Sequence, residues 1–139
     1  MMSRFDQVAN EWDSPQKMES SKLMAKTLKE MVKLKPEDAV LDFGCGTGLL
    51  SFELLPGVAS VLGIDTSAGM LEVMKQKANN KENVRTMLKN LETENCNEVF
   101  DLIVTAMAFH HLEFPKKMIK KLHSMLKSVG NLAIFDFCT

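Results

Sequence analysis

The apolar residues of this chain fall into short unbroken runs that alternate with periodic stripes. From Gln16 to about Val32, the residues Met24, Leu28, Met31 and Val32 recur at helical spacing, with lysine and glutamate between them, which is the signature of an amphipathic helix. The tetrapeptide Lys35-Pro36-Glu37-Asp38 breaks that pattern. Ala39 to Phe43 is nearly all apolar and too short for a helix, as expected of a strand buried on both faces. Leu49 to Leu55 reads as a helix ended by Pro56-Gly57, and Val58 to Ile64 as a second buried strand that ends at Asp65. Ser67 is placed to cap a helix whose Met70, Leu71, Met74 and Ala78 share one face. Val84 to Leu88 and Phe100 to Ala106 are the third and fourth strands. After Pro115 a stripe of Met118, Ile119, Leu122, Met125 and Leu126 marks another helix, and Gly130 turns the chain into a fifth strand, Asn131 to Phe137.

Strand and helix thus alternate along the chain, which predicts βαβ units joined by right-handed crossovers. The expected fold is α/β, a Rossmann-like three-layer sandwich with a mostly parallel sheet and helices on both faces. In such sheets ligands bind at the carboxyl ends of the strands, near the point where the strand order reverses.

At 139 residues the chain fits one domain, 1–139, with an N-terminal arm and helix over 1–35 and a βαβ core over 36–139. A chain of this size buries about two-thirds of its unfolded surface. A net charge of -1 gives no electrostatic reason to expect nucleic acid or an anionic membrane as partner. No apolar run approaches the roughly 20 residues of a membrane span, and the first residues lack the hydrophobic segment of a secretory signal. Cys45, Cys96 and Cys138 form no CxxC pair, so neither a disulfide framework nor a metal site is expected, and a reducing, cytoplasmic setting is. Lys116, Lys117, Lys120 and Lys121 alternate with the last apolar stripe and read as a solvated helix face.

The chemistry concentrates in "LDFGCGTGLL", where Gly44, Gly46 and Gly48 sit two apart between two apolar runs. A dinucleotide fingerprint, G-x-G-x-x-G, would put its third glycine at position 49, which is Leu49. A P-loop would need a lysine after its last glycine, and none is there. The pattern that fits is acid-x-G-x-G-x-G, from Asp42 to Gly48. With it come "VLGIDTSAGML", an acid ending a strand followed by Ser and Met-Leu, then "FDLIVTAMAFHHL", and "RFDQVANEWD" near the start. In this order the four segments resemble the class I S-adenosylmethionine-dependent methyltransferases, in particular the small-molecule branch that includes ubiquinone and menaquinone methyltransferases.

The resemblance implies the strand order 3-2-1-4-5 and S-adenosylmethionine as methyl donor. It places the donor's methionine portion on the loop Gly44, Cys45, Gly46 and Gly48, where small residues let the ligand approach the backbone. Asp42 would shape the loop and supply negative field for the ammonium. Asp65 would accept the ribose hydroxyls, with Thr66 beside it, and Met70 would pack near the adenine. Family members often carry Asp after the third strand; here the equivalent is Asn90, followed by Leu91, and an amide oxygen can accept the same bond from the adenine amino group. Thr105 would close the pocket from the fourth strand, and Trp12 would be a lid or an anchor for the arm.

Methyl transfer from a sulfonium is a direct displacement, so alignment and exclusion of water carry most of the catalysis. A base is needed only where the acceptor must lose a proton. His110 and His111 follow the fourth strand at the donor end, and His111 is the candidate base. Thr105-Ala106-Met107-Ala108 stands where nucleobase-modifying relatives have Asn-Pro-Pro-aromatic, which argues for a small-molecule acceptor. Family members usually continue past the fifth strand, whereas this sequence stops at Thr139. It is therefore read as an enzyme with its donor half complete, with a truncated fragment or a non-catalytic S-adenosylmethionine-binding subunit as the alternatives. The fifth strand, apolar and free of proline or lysine, would be an edge open to self-association.

Overall fold

A computed structural model of the chain describes residues 9–136, except the side chain of Asn10. Phe137, Cys138 and the first part of the "RFDQVANEWD" segment lie outside the described residues. A 3-10 turn, Ala9–Glu11, leads into helix α1, Pro15–Met31. The Ser14 hydroxyl accepts from the Lys17 amide and Pro15 takes the first helical position, so α1 starts where its capping chemistry says it should. Five strands follow, β1 (Ala39–Phe43), β2 (Ser60–Asp65), β3 (Val84–Leu88), β4 (Phe100–Ala106) and β5 (Leu126–Phe135), with helices α2 (Leu49–Leu54), α3 (Ala68–Ala78) and α4 (Pro115–Ser124) between them. Every adjacent pair is parallel and the order is β3-β2-β1-β4-β5. That is the predicted order, with its reversal between β1 and β4.

The two faces of the sheet have separate cores. Val40, Val61, Leu102 and Val104 meet Leu28 of α1 and Leu50 and Leu54 of α2. Leu41, Leu62, Ile64 and Ile103 meet Met118 and Leu122 of α4. Successive residues of β1 and β4 thus point to opposite layers, and both are buried, which is why these strands read as continuous apolar runs. Helix α3 sits over β2 and β3. Its four-residue stripe, Met70, Leu71, Met74 and Ala78, is buried as predicted, and the Ser67 hydroxyl accepts from the Met70 amide.

Four local expectations change. Leu55–Gly57 forms a 3-10 turn that delays β2 to Ser60, because Pro56 and Gly57 end α2 without releasing the chain into the sheet. Helix α4 ends at Ser124, so Leu126 is not on its stripe but already pairs with Phe100; Gly130 lies inside β5, where the register jumps from Phe100↔Leu126 to Leu102↔Asn131. A Cβ on Gly130 would lie 3.0 Å from the Asp101 carbonyl oxygen, so this glycine marks the bulge rather than a turn. Met31 is 78% exposed and Ile119 is 42% exposed; Ala25, which a stripe of large side chains does not advertise, takes the buried place on α1. Lys121 does not belong to a solvated face: its ammonium donates to the carbonyls of Leu91 and Glu94, tying the loop after β3 to α4.

Candidate active site

The glycine loop leaves the end of β1 with three residues in left-handed backbone, Gly44 at φ 70°, Gly46 at 58° and Gly48 at 86°, a region costly to side-chain-bearing residues. Gly48 has a second reason to be glycine. A Cβ there would stand 2.9 Å from Met74 and 3.0 Å from Phe52, so Gly48 brings α2 against α3 and does not face the cleft. Gly44 is similarly pressed by Ala108, whose Cβ would come within 2.7 Å of an added methyl. The loop therefore interlocks with the end of β4.

Beside this loop lies a cleft of about 890 Å³, at the upper end of the ordinary size for small-molecule sites. Its floor is the carboxyl ends of β1, β2 and β4, which is where the strand order reverses. Gly44, Cys45 and Gly46 line it from the loop, Asp65, Thr66 and Met70 from β2 and α3, and Asn90 and Leu91 from the loop after β3. Asp42 also reaches it. Thr105 is fully buried one residue short of the lining, with its hydroxyl unpartnered among the described residues; Ala106, Met107 and Ala108 line the cleft in its place.

The two acids are held differently. Asp65 is half-buried; its Oδ2 accepts from the Gly46 amide at 2.8 Å and its Oδ1 from the Ser67 amide at 2.9 Å. It thus ties the glycine loop to the start of α3 while still lining the cleft. Asp42 is buried, with Oδ2 accepting from Ser51 Oγ at 2.6 Å. Burial pushes its carboxyl up to about 7, with the Asp65 charge adding to the rise and the Ser51 hydrogen bond opposing it. Burial also raises the Cys45 thiol, helped by the same two acids, so it stays protonated. Asn90 spends its side-chain oxygen on the Glu92 amide at 3.0 Å, closing a local turn at the rim.

Sequence reasoning missed much of the far wall. Gln16, Lys17, Ser20 and Ser21 on α1 line it, as does Met24, which the stripe assigned to core. Trp12 also lines the cleft; its Nε1 lies 3.8 Å from where a Gly46 Cβ would stand, and the Lys17 ammonium sits 3.1 Å above its ring centroid. Asp13 fastens this arm by accepting from Thr47 Oγ1 at 2.5 Å and pairing with Lys77 at 2.8 Å. Met107, at φ 60°, is a non-glycine residue in the left-handed region at the cleft, the kind of backbone outlier that gathers at functional sites. No sequence signal marks it. His110 and His111 both line the rim, their ring centroids 3.9 Å apart. No cluster of three or more metal-ligating side chains occurs among the described residues.

The donor set, two carboxylates at neighbouring strand ends, backbone kept bare by glycine, and the apolar Met70 and Leu91, fits a ligand that is cationic at one end and carries a sugar and a flat ring. Comparison with known proteins agrees. A family described as a methyltransferase domain matches residues 40–130. The chain is 31% identical over 139 residues to the ubiquinone biosynthesis O-methyltransferase of Coxiella burnetii, covering 94% of this chain and 58% of that protein. It is 31% identical over 141 residues to the malonyl-[acyl-carrier protein] O-methyltransferase of Acetivibrio thermocellus, covering 99% of this chain and 49% of that protein. The crystal structure of the YcgJ protein of Bacillus subtilis superposes with a TM-score of 0.73 at 30% identity, over 85% of this chain and 50% of that one. The chain thus spans about half the length of the relatives it matches.

Proposed function

We infer the function from membership: the chain belongs to the class I S-adenosylmethionine-dependent methyltransferase family, and we read its cleft as the donor site for methyl transfer to a small-molecule acceptor. The observation that carries this reading is the junction at Gly46, where a left-handed glycine loop and an acid at the next strand end are joined by one hydrogen bond. In this reading Gly44, Cys45 and Gly46 hold the methionine portion by their backbone, with Asp42 supplying charge for the ammonium. Asp65 and Thr66 receive the ribose, and Met70 and Leu91 sandwich the adenine, with Asn90 at its edge. Gly48 and Thr105 act from behind, by packing. When bound, the donor supplies an activated methyl on sulfonium; the chain's own part is to hold it, orient the acceptor and exclude water. Two curated relatives are named as O-methyltransferases, which supports an oxygen acceptor. The span from Gln16 to Ser21 on one side and Ala106 to His111 on the other gives that acceptor room within the cleft.

Among the described residues no helix is long and apolar enough to cross a membrane. With unpaired Cys45 and Cys96, we read the chain as one domain working in a reducing, cytoplasmic setting and without nucleic acid. We further read the β5 edge as a contact between two copies. Calorimetry with S-adenosylhomocysteine and with NAD tests the donor assignment. Saturable binding of the first alone is expected; saturable NAD binding without a response to S-adenosylhomocysteine would overturn it. Labelled donor incubated with an extract and fractionated into metabolites, protein and RNA tests the acceptor, and label confined to RNA would sink the small-molecule reading.

A further inference from the structure

Of the two histidines at the rim, the sequence favoured His111, and the fold equips His110 with a carboxylate from another element. His111 donates its amide to the Ala108 carbonyl within a single turn. His110 is gripped from a different element. Asp136, the residue after β5, accepts from the His110 amide through Oδ2 at 2.8 Å, and its Oδ1 lies 2.8 Å from His110 Nδ1. One carboxylate therefore fixes both the backbone and the ring. The Asp136 side chain is 15% exposed against 35% for His110, so the acid sits behind and the imidazole in front, lining the cleft.

The chemistry of this arrangement is directional. A carboxylate only accepts, so the bond requires the proton on Nδ1, and in the neutral ring the lone pair is then on Nε2. A ring fixed in one tautomer by a buried-side acid, at the mouth of a site where bonds are made, is the arrangement of an oriented general base. The strands place it well: β4 delivers the cleft-lining Ala106 and Met107 just before His110, and Met107 is itself bonded to β5 through its amide to the Phe135 carbonyl at 2.6 Å. The ends of β4 and β5 are thus bonded to each other, with His110 in the 3-10 turn Phe109–His111 that follows the first and Asp136 just past the second. Asp136 and the ring of His111 face the His110 ring.

We infer that His110 is the base of the reaction and Asp136 its positioning residue, and that the acceptor is consequently a hydroxyl rather than a group already ionised; this rests on the methyltransferase reading above. The acceptor O–H gives its proton to Nε2 of His110. An oxygen lone pair forms the new bond to the methyl carbon. The carbon–sulfur bond of the sulfonium breaks, and its electron pair stays on sulfur as a neutral thioether. The imidazolium, held in place by Asp136, returns its proton to water.

The test uses the full chain, labelled S-adenosylmethionine and catechol as probe acceptor. His110→Gln and Asp136→Asn should each slow transfer at pH 7 by about 10²-fold, the ordinary size of a general-base contribution. The loss should shrink as the pH rises toward the phenol's own ionisation near about 10, where no base is required. A loss of the same size at every pH would show the pair to be a mere fastening of β4 to β5 and overturn the proposal, as would no loss at all. S-adenosylhomocysteine binding is measured in parallel: wild-type protein that does not bind it brings down the donor reading, and this proposal with it. Binding without turnover of catechol leaves the decision to the ring itself. With 15N-labelled histidine and bound S-adenosylhomocysteine at pH 8.5, His110 should show the Nδ1–H tautomer, lost in Asp136→Asn. A His110 ring carrying its proton on Nε2 would overturn the proposal whatever the acceptor.

Discussion

Asp42 is the residue whose charge the fold resists and the proposed ligand would reward. Its carboxyl sits near 7 in the folded chain against 3.8 ordinarily. Between those two values the folded protein holds a proton that the unfolded chain has released. Stability should therefore fall as pH rises from about 4 to about 7, by up to about 1.4 kcal/mol per pH unit, and level off above. Urea melts at pH 5 and pH 8 check this, and Asp42→Asn, which can still accept from Ser51 Oγ, should remove the slope. A bound ammonium reverses the preference, because it favours the carboxylate. S-adenosylhomocysteine affinity should rise from pH 6 to pH 8 in the native protein and lose that rise in Asp42→Asn. Asp65 makes a different prediction. Asp65→Ala removes both the proposed ribose contact and the bond to the Gly46 amide, so calorimetry should show binding weakened by about 1.5–3 kcal/mol. Unchanged affinity would reduce Asp65 to a local brace.

At the scale of elements, α2 meets α3 closely at one point, Gly48. A methyl there meets Met74 and Phe52 at about 3 Å on a backbone at φ 86°. Gly48→Ala should cost roughly 1–2 kcal/mol for the left-handed backbone and roughly 1–3 kcal/mol more for overpacking, visible as a lowered melting temperature before any ligand is added. The arm is fastened more lightly. Asp13 reaches Thr47 and Lys77 from partly exposed positions, its own side chain at 27% and that of Lys77 at 29%, where ion pairs contribute about 0–1 kcal/mol. Asp13→Ala should leave the melting temperature nearly unchanged but expose the segment around Trp12 to limited proteolysis, and S-adenosylhomocysteine should protect it less than in the native chain. Equal cleavage in both proteins would mean that α1, rather than Asp13, holds the arm.

For the molecule as a whole, the two ends of the sheet, β3 and β5, each pair on one side only among the described residues. Among the described residues β5 pairs only with β4, and Val129 is 84% and Ile134 is 40% exposed along it. Lys127 lies near the start of β5, but the strand's later part, Leu132 to Phe135, is apolar and free of lysine and proline, and an edge of that kind tends to find another strand. Sedimentation at several concentrations should show reversible self-association, and Ile134→Lys should shift it toward monomer. Ile134 is the better probe than Phe135, which packs against the α1/α2 core and whose replacement would unfold as well as dissociate. A mass independent of concentration in the native chain would mean that the edge is left unpaired or is covered some other way.

What the sequence by itself determined is what depends on near neighbours and on period. Strands β1, β3 and β4 end where their apolar runs end, Ser67 caps α3, and the acid-glycine pattern from Asp42 to Gly48 marks the loop; each is set by residues within a few positions, so each is readable along the chain. The strand order followed from resemblance of the motifs in series. What only the tertiary structure decided is what depends on residues brought together from far apart. That Gly48 packs while Gly46 faces the cleft depends on Met74, 26 positions on. That α1 turns Ser20 and Ser21 toward the cleft, and Met31 toward water, depends on which way the helix rolls on the sheet, and a stripe of methionines does not fix that roll. That β5 begins at Leu126 depends on Phe100 accepting it as a partner across a bulge. The pairing of His110 with Asp136 is the fullest case: the two are 26 residues apart, just past the ends of adjacent parallel strands, and no local pattern marks His110 until the sheet sets that carboxylate beside it.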